Sequence, residues 1–317
     1  MNDDQVVVKV LAAPVNPSDI NIIEGTYPIK PIWTDMGAIG GQEGVGQVVQ
    51  VGSNVSHLKP GDWVLPVKQS FNTWQTFAAA NANSVVKLEN IKGISPILAS
   101  TISVNPPTAY RMIKDFVALE KGDVIIQNSA NSAVGQAVIQ LARAWGFKTV
   151  NIVRNRPDIE SLAKSLADLG ADLVITEDQV RKAETEQKIK DLGIPRLGLN
   201  GVGGKSATNM ARLLANDAFM VTYGGMSKEP VTIPTSLLIF KNLTCTGFWM
   251  SKWATDRPDS ARVAIYSDLF ELAKQNKFKE PLHETWSFKD LPDGQLVKIA
   301  SRPENGFQNG KRILVPE

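Results

Sequence analysis

The 317-residue chain carries a single cysteine, Cys245, and only two histidines, His57 and His283. One thiol excludes an internal disulfide framework and fits a reducing compartment. Neither sign of charge is in surplus. Thirty-four Lys and Arg against 32 Asp and Glu leave a formal net charge of +2, too balanced for nucleic acid or an anionic membrane to be the main partner. No run of eighteen apolar residues occurs, so no transmembrane helix is expected. Internal repeats and low-complexity tracts are absent. Met1-Asn-Asp-Asp4 is acidic and polar, unlike a secretory signal or an Arg-rich transit peptide. Hydrophobic residues at 43% and charged residues at 21% are ordinary for a globular chain, and the length suits two domains with sizeable cores.

Against this background Val124-Ile-Ile-Gln-Asn-Ser-Ala-Asn-Ser-Ala-Val-Gly-Gln136 is the most informative stretch. It joins an apolar strand to a helix through very small residues. Such a loop lets the backbone amides of Asn131, Ser132, Ala133 and Val134 approach a pyrophosphate, and the helix N-terminus favours its charge. A second apolar strand, 149–153, ends in Arg154-Asn155-Arg156. A cofactor with a bare ribose 2′-OH usually meets Asp or Glu there, whereas arginines suit a 2′-phosphate. The combination points to an NADPH-binding oxidoreductase. The glycine positions of the usual fingerprint are here Ala130, Ser132 and Gly135. Taken alone, the loop also fits a generic strand-to-helix turn, and the arginines also fit solvated charges at a strand end.

Residues 1 to about 103 read as short strands with Gly and Pro punctuation, including Val6–Leu11, a glycine-broken strand over 44–52, and a turn over 58–65 feeding another. From about 107 the pattern becomes strand alternating with helix. Strands are expected at 124–128, 149–153, 173–176, 196–200, 219–223 and 243–248. Amphipathic helices fit 134–146, 158–169, 178–191 and 205–215, with Gly146, Gly170 and Gly193 as stops. Apolar strands with crossover helices describe a doubly wound parallel sheet. The tail carries a helix near 259–276 and a last strand, Lys311–Val315. That strand needs a partner, which the N-terminal strands can supply. The chain is therefore divided into 1–103, 104–248 and 249–317, with the outer two segments forming one discontinuous domain.

A β-rich first domain followed by a nucleotide-binding fold resembles the medium-chain dehydrogenase/reductase superfamily. The resemblance implies an α/β protein with a doubly wound Rossmann cofactor domain and a β-rich GroES-like catalytic domain. Zinc-dependent members hold their metal with Cys and His ligands. Here His57 and His283 have no ligand spacing, and Gln42 stands in Gly40-Gly-Gln-Glu-Gly-Val-Gly46 where zinc alcohol dehydrogenases carry His. No metal site is expected.

Several motifs narrow the match. Ala13-Pro-Val-Asn-Pro-Ser-Asp-Ile-Asn21, Val104-Asn-Pro-Pro-Thr-Ala-Tyr-Arg111, Val153-Arg-Asn-Arg-Pro-Asp-Ile159, Gly203-Gly-Lys-Ser206, Tyr223-Gly-Gly-Met226 and Gly247-Phe-Trp249 together resemble the mitochondrial 2-enoyl thioester reductases, over essentially the whole chain. This resemblance implies NADPH-dependent reduction of a trans-2-enoyl thioester on acyl carrier protein or coenzyme A, a homodimer, and a mitochondrial location. Relatives usually begin with a targeting segment and an extra strand pair that this chain lacks. An alternative or trimmed form, cytoplasmic or nuclear, is the other expectation.

Reducing a C=C conjugated to a thioester needs hydride at Cβ, stabilisation of enolate-like charge on the thioester oxygen, and a proton at Cα. Without a metal, hydrogen-bond donors must stabilise that charge. A phenol keeps its proton at neutral pH and can deliver it to a strongly basic carbanion. The family pattern places that donor at Tyr27, in Gly25-Thr-Tyr-Pro28, where the bland alternative is a packing or loop-capping tyrosine. The pattern also aligns Asn105 with a nicotinamide-side Asn and suggests a phosphate contact for Lys311. Tyr223, Gly224, Gly225 and Met226 follow a strand directly and so face the ligand crevice. Phe248 and Trp249, with Met250 beside them, close the sixth strand as pocket residues. His57, His283 and Cys245 read as structural or surface residues. Two other functions remain open at this level: a zinc-free quinone oxidoreductase, and a non-catalytic NADPH-binding scaffold or transcription-associated partner.

Overall fold

A computed structural model describes every residue except 32, 34, 36, 68–70, 289–297, 302–309 and 317. It divides into two compact units, one of Met1–Val104, Ala254–Lys274 and Lys279–Glu317, the other of Asn105–Trp253 and Gln275–Phe278. The strands are β1 (Gln5–Pro14), β2 (Val45–Val51), β3 (Trp63–Pro66), β4 (Phe77–Asn81) and β5 (Val85–Lys87). Then come β6 (Val124–Gln127), β7 (Lys148–Val153), β8 (Leu173–Thr176), β9 (Pro195–Asn200), β10 (Phe219–Thr222) and β11 (Thr244–Gly247). The last two are β12 (His283–Ser287) and β13 (Lys311–Val315).

In the first unit β1 is the organising strand. Val6, Val8 and Val10 are fully buried and alternate with half-buried Gln5, Val7 and Lys9, the period-two pattern of a strand with one face on a core. It pairs antiparallel with β2, with β4 and, at Ala13 and Pro14, with β13. The C-terminal strand thus finds its partner among the N-terminal ones, and β12 extends it in parallel. Two short helices interrupt what the sequence presents as strands only, Pro17–Ile23 and Pro96–Ser100. Each opens on proline, which costs nothing at the first helical position. Neither is long enough to show a 3.6-residue period.

The second unit is a six-stranded, wholly parallel sheet in the order β11-β10-β9-β6-β7-β8. The chain winds from β6 out to β8, then returns to β9 on the other side of β6. The resulting crevice at the carboxyl ends of β6 and β9 is where such sheets bind ligands. All four residues of β6 are buried, as a strand covered on both faces requires. Each fully buried Ile or Val contributes about 1.5–3 kcal/mol. Gly146, Gly170 and Gly193 follow directly on helices Ala133–Trp145, Ile159–Leu169 and Ala183–Leu192. The third of these starts five residues later than the apolar pattern of 178–191 suggests. Gln179 explains the delay: its side chain accepts from the Thr176 amide at 2.9 Å while its own amide donates to the Thr176 carbonyl at 2.9 Å. That side-chain turn competes with helix.

Gly135 fixes how closely helix Ala133–Trp145 approaches the loop before it. A Cβ at this position would lie 2.4 Å from the Ala130 carbonyl oxygen, a backbone atom that cannot swing aside. Across the same contact Gln127 donates to the Gly135 carbonyl at 3.0 Å and to the Asn151 side chain at 2.8 Å, tying β6 to the helix and to β7. Gly135→Ala is expected to destabilise the protein by about 1–3 kcal/mol through overpacking, read as a lower urea midpoint.

Candidate active site

Beyond β6 the chain passes Asn128 and turns at Ser129, whose φ is 56°. Ser132 caps the helix by accepting from the Gly135 amide at 3.1 Å, and the Asn131 carbonyl accepts from the Gln136 side chain at 2.9 Å. The amides of Ala133 and Val134 belong to the first helical turn and have no carbonyl partner within the helix. These four small residues thus stand at the positive end of the helix dipole, a place that suits an anion.

Beneath the cradle lies a polar network that the motif reading did not single out. Asn128, fully buried, donates to the Asn200 side chain at 2.8 Å and to the Ser206 hydroxyl at 3.0 Å, and accepts from the Gly201 amide at 2.7 Å. The Asn200 carboxamide oxygen also accepts from the Gly203 amide at 3.0 Å, and its nitrogen donates to Thr222 at 3.2 Å. Ser206 in turn donates to Glu177 at 2.6 Å. Burial holds the Glu177 carboxyl above its ordinary range, with the Ser206 bond opposing that shift. The ends of β6, β8, β9 and β10 are thus joined by side chains. Two asparagines closing apolar strands, Asn128 and Asn200, were the available signal, because a buried carboxamide must find partners.

At the end of β7, Arg154 and Asn155 are exposed. The Arg156 side chain is 7% exposed and forms a fork with Asp158, Nε to Oδ1 at 2.5 Å and Nη2 to Oδ2 at 2.9 Å. That pairing holds the Asp158 carboxyl below its usual range. After β10, the Tyr223 amide donates to the Asn200 carbonyl at 3.0 Å and the Met226 amide to the Gly201 carbonyl at 3.1 Å. Gly224 is half-buried, Gly225 faces open space, and Met226 is exposed. The Tyr223 hydroxyl is enclosed, with the Ser132 side chain as its hydrogen-bonding neighbour. Burial pushes this phenol up to about 12, with Ser132 offsetting part of the shift. Phe248 packs edge-to-face on Phe116 at 6.0 Å, Trp249 is exposed, and Met250 is buried at the start of helix Met250–Thr255. Asn105 opens helix Asn105–Asp115 and is half-buried.

In the first unit, Tyr27 is half-buried on a loop folded back onto helix Pro17–Ile23. The Asn21 carbonyl accepts from the Thr26 amide at 2.9 Å, the Thr26 hydroxyl at 3.2 Å and the Tyr27 amide at 3.2 Å. The helix itself is anchored by a buried charge cluster. Asp19 accepts from the amides of Asn16 and Gln42 at 2.8 and 3.0 Å. Asn16 donates to Glu43 at 2.8 Å, and Glu43 also accepts from the amides of Ser103 and Val104 at 3.0 and 2.8 Å.

Lys311, expected from the sequence to contact a phosphate, completes this cluster. It is 9% exposed, and its ammonium donates to Asn16 at 2.5 Å and to the Val15 carbonyl at 3.4 Å. Burial lowers the Lys311 ammonium's hold on its proton, and the charges of Glu43 and Asp19 oppose that shift. At the position of a zinc ligand, Gln42 donates instead to Asn72 at 3.1 Å. Among the described residues no group of three His, Cys, Asp or Glu could hold a metal. His57 and His283 each face a backbone carbonyl, and Cys245 is exposed.

Two family models match the chain, the alcohol dehydrogenase GroES-like domain over residues 2–100 and zinc-binding dehydrogenase over residues 133–264. The chain is 50% identical over 316 residues to the mitochondrial enoyl-(acyl-carrier-protein) reductase of Xenopus tropicalis, covering 99% of this chain and 87% of that one. It belongs to the enoyl-(acyl-carrier-protein) reductase family. A solved complex of Etr1p with NADP and crotonyl-CoA superposes with a TM-score of 0.90 at 38% identity, covering 99% of this chain and 92% of that one. The mitochondrial 2-enoyl thioester reductase Etr1p/Etr2p heterodimer from Candida tropicalis gives 0.89 at 38% identity, with the same coverage of 99% and 92%. The residues of the second unit fit the dinucleotide that such reductases use, on two features of this chain: the small-residue cradle and the arginines beyond β7.

The charge cluster has a measurable signature. Burial pushes the Asp19 carboxyl up from 3.8 to about 6, so the folded state holds its proton more tightly than the unfolded one. The associated stability is complete below pH ~3.8 and is lost as pH rises to about 6. At ~1.4 kcal/mol per pKa unit this amounts to about 3 kcal/mol at most. Wild-type protein should therefore lose stability relative to Asp19→Asn across that interval. Urea midpoints of both proteins measured between pH 4 and pH 6.5 check this, and a constant difference contradicts it.

Proposed function

We propose that the chain is an NADPH-dependent reductase of trans-2-enoyl thioesters, carried on acyl carrier protein or coenzyme A, in mitochondrial fatty-acid synthesis. Membership of the enoyl reductase family across the whole chain is the observation that carries this reading. When bound, NADPH supplies the hydride that goes to Cβ. The protein's part is to hold the cofactor and to manage a proton. Asn131, Ser132, Ala133 and Val134 cradle the diphosphate, while Arg154 and Arg156 take the 2′-phosphate in place of the acid that a ribose hydroxyl would need. Asn155 completes that strand end. Asn105, the loop Tyr223 to Met226, and Phe248, Trp249 and Met250 line the nicotinamide side. Tyr27 delivers the proton to Cα, held in place by the Asn21 carbonyl at its amide.

We infer a homodimer through the β11 edge of the second unit. β11 ends the sheet order, so among the described residues no strand lies on one side of its backbone, and exposed sheet edges recruit other strands. Nearby in sequence, Ile239 is 65% and Phe240 78% exposed, an apolar surface that a second copy would cover. Phe240→Asp is expected to shift the protein from dimer to monomer in sedimentation, with its helix content unchanged.

The catalytic reading predicts NADPH oxidation with short- and medium-chain trans-2-enoyl thioesters and at least tenfold less with NADH. Tyr27→Phe should lose about 10²-fold or more in turnover while NADPH affinity holds. Turnover of quinones but not enoyl thioesters, or undiminished turnover in the variant, contradicts it.

A further inference from the structure

Glu43 is a fully buried carboxylate that no step of the reduction described above uses. One oxygen, Oε1, accepts from the Ser103 and Val104 amides at 3.0 and 2.8 Å and from the Ser103 hydroxyl at 3.2 Å. The other, Oε2, accepts from the Asn16 side chain at 2.8 Å. The backbone of the residue is fixed as well, because the fully buried Thr73 donates its hydroxyl to the Glu43 carbonyl at 2.7 Å. Burial holds this carboxyl above its ordinary range, against the pull of Lys311 and of its own hydrogen bonds. Buried charges of this kind add little stability over apolar packing of the same volume, and what they can supply is a fixed position for their partners.

The partner is helix Pro17–Ile23. Asn16, the residue before it, is held by Glu43 through its amide nitrogen and by Lys311 through its amide oxygen. Asp19, in the first turn, accepts from the amide of Gln42 at 3.0 Å. Two consecutive residues, 42 and 43, therefore grip the start of the helix at two points. At its far end the Ile20 carbonyl accepts from the Glu24 amide at 2.9 Å, and the Asn21 carbonyl accepts from the amides of Thr26 and Tyr27 at 2.9 and 3.2 Å. The helix has seven residues, about 10 Å of rise. A lever of two turns carries any shift at Asn16 straight to the loop of Tyr27.

We propose that Glu43 is a positioning residue for proton delivery: its carboxylate fixes the start of helix Pro17–Ile23, and the helix fixes the arm that carries Tyr27. This rests on the assignment of Tyr27 as the proton donor, and it names the group that holds that donor in register. Glu43 itself takes no part in bond making.

Glu43→Gln keeps the shape of the side chain and an acceptor for the Ser103 and Val104 amides, but it turns a donor toward the donor of Asn16. NADPH affinity and the KM for a trans-2-enoyl thioester should stay as in wild type. The kcat should fall about tenfold or more, since a catalytic group misplaced by about 1 Å can lose about 10²-fold. A double-mutant cycle separates position from fold. With Tyr27→Phe already in place, Glu43→Gln should cost no further turnover, because the arm it holds no longer carries a proton. An equal loss in both backgrounds, or an unchanged kcat in the single variant, overturns the proposal. Should Glu43→Gln fail to fold by circular dichroism, Asn16→Ala takes its place in the same cycle, removing the link while Glu43 keeps its backbone donors. Full turnover in Tyr27→Phe with Glu43 intact refutes the proton-donor assignment, and this inference with it. A damaged Tyr27→Phe in which Glu43→Gln still exacts its full loss overturns the inference alone.

Discussion

An ammonium group enclosed by protein must be matched by anions and acceptors, or the fold pays the full cost of stripping its water. Lys311 imposes that condition on the first unit. Its neighbours come from five places along the chain: Val15 and Asn16 at the end of β1, Asp19 in helix Pro17–Ile23, Glu43 before β2, the amides of Ser103 and Val104 behind Glu43, and β13 itself. Because removing one member of such a set leaves the others uncompensated, the set holds as a whole. The helix it fixes leads directly into the loop of Tyr27. The residue assigned to proton delivery therefore inherits its position from charges that do no chemistry themselves.

The second unit solves a parallel problem with neutral groups. Four strand ends must be held in register at a crevice open to a ligand, where apolar packing alone would leave loop backbone unpaired. The carboxamides of Asn128 and Asn200 each bridge two or more elements, and Ser206 passes the chain of bonds to Glu177. Rigid supports of this kind let a small-residue cradle keep its shape.

How far the sequence reaches into this structure depends on the kind of signal. The strands of the second unit are legible because both faces are covered, so Val124-Ile-Ile reads as an apolar run whatever surrounds it. Helices ended by Gly146 and Gly170 carry their own punctuation. Helices Pro17–Ile23 and Pro96–Ser100 escape because two turns or fewer show no period, and helix Ala183–Leu192 starts late because a glutamine side chain takes over the turn before it. The cradle and the arginines are local and visible in the chain. Lys311 is the opposite case: its burial is created by residues nearly three hundred positions away in sequence, and no local pattern encodes that.

The fork between Arg156 and Asp158 has a thermodynamic corollary. A long cationic side chain usually gives up rotamer freedom when an anion docks. Here the guanidinium is 7% exposed and clasped by a neighbouring carboxylate, so part of that rotamer freedom is given up on folding. An anion docking there, as proposed for the 2′-phosphate, would meet a preset surface bearing both signs of charge and would have to outcompete the resident carboxylate for those N–H groups.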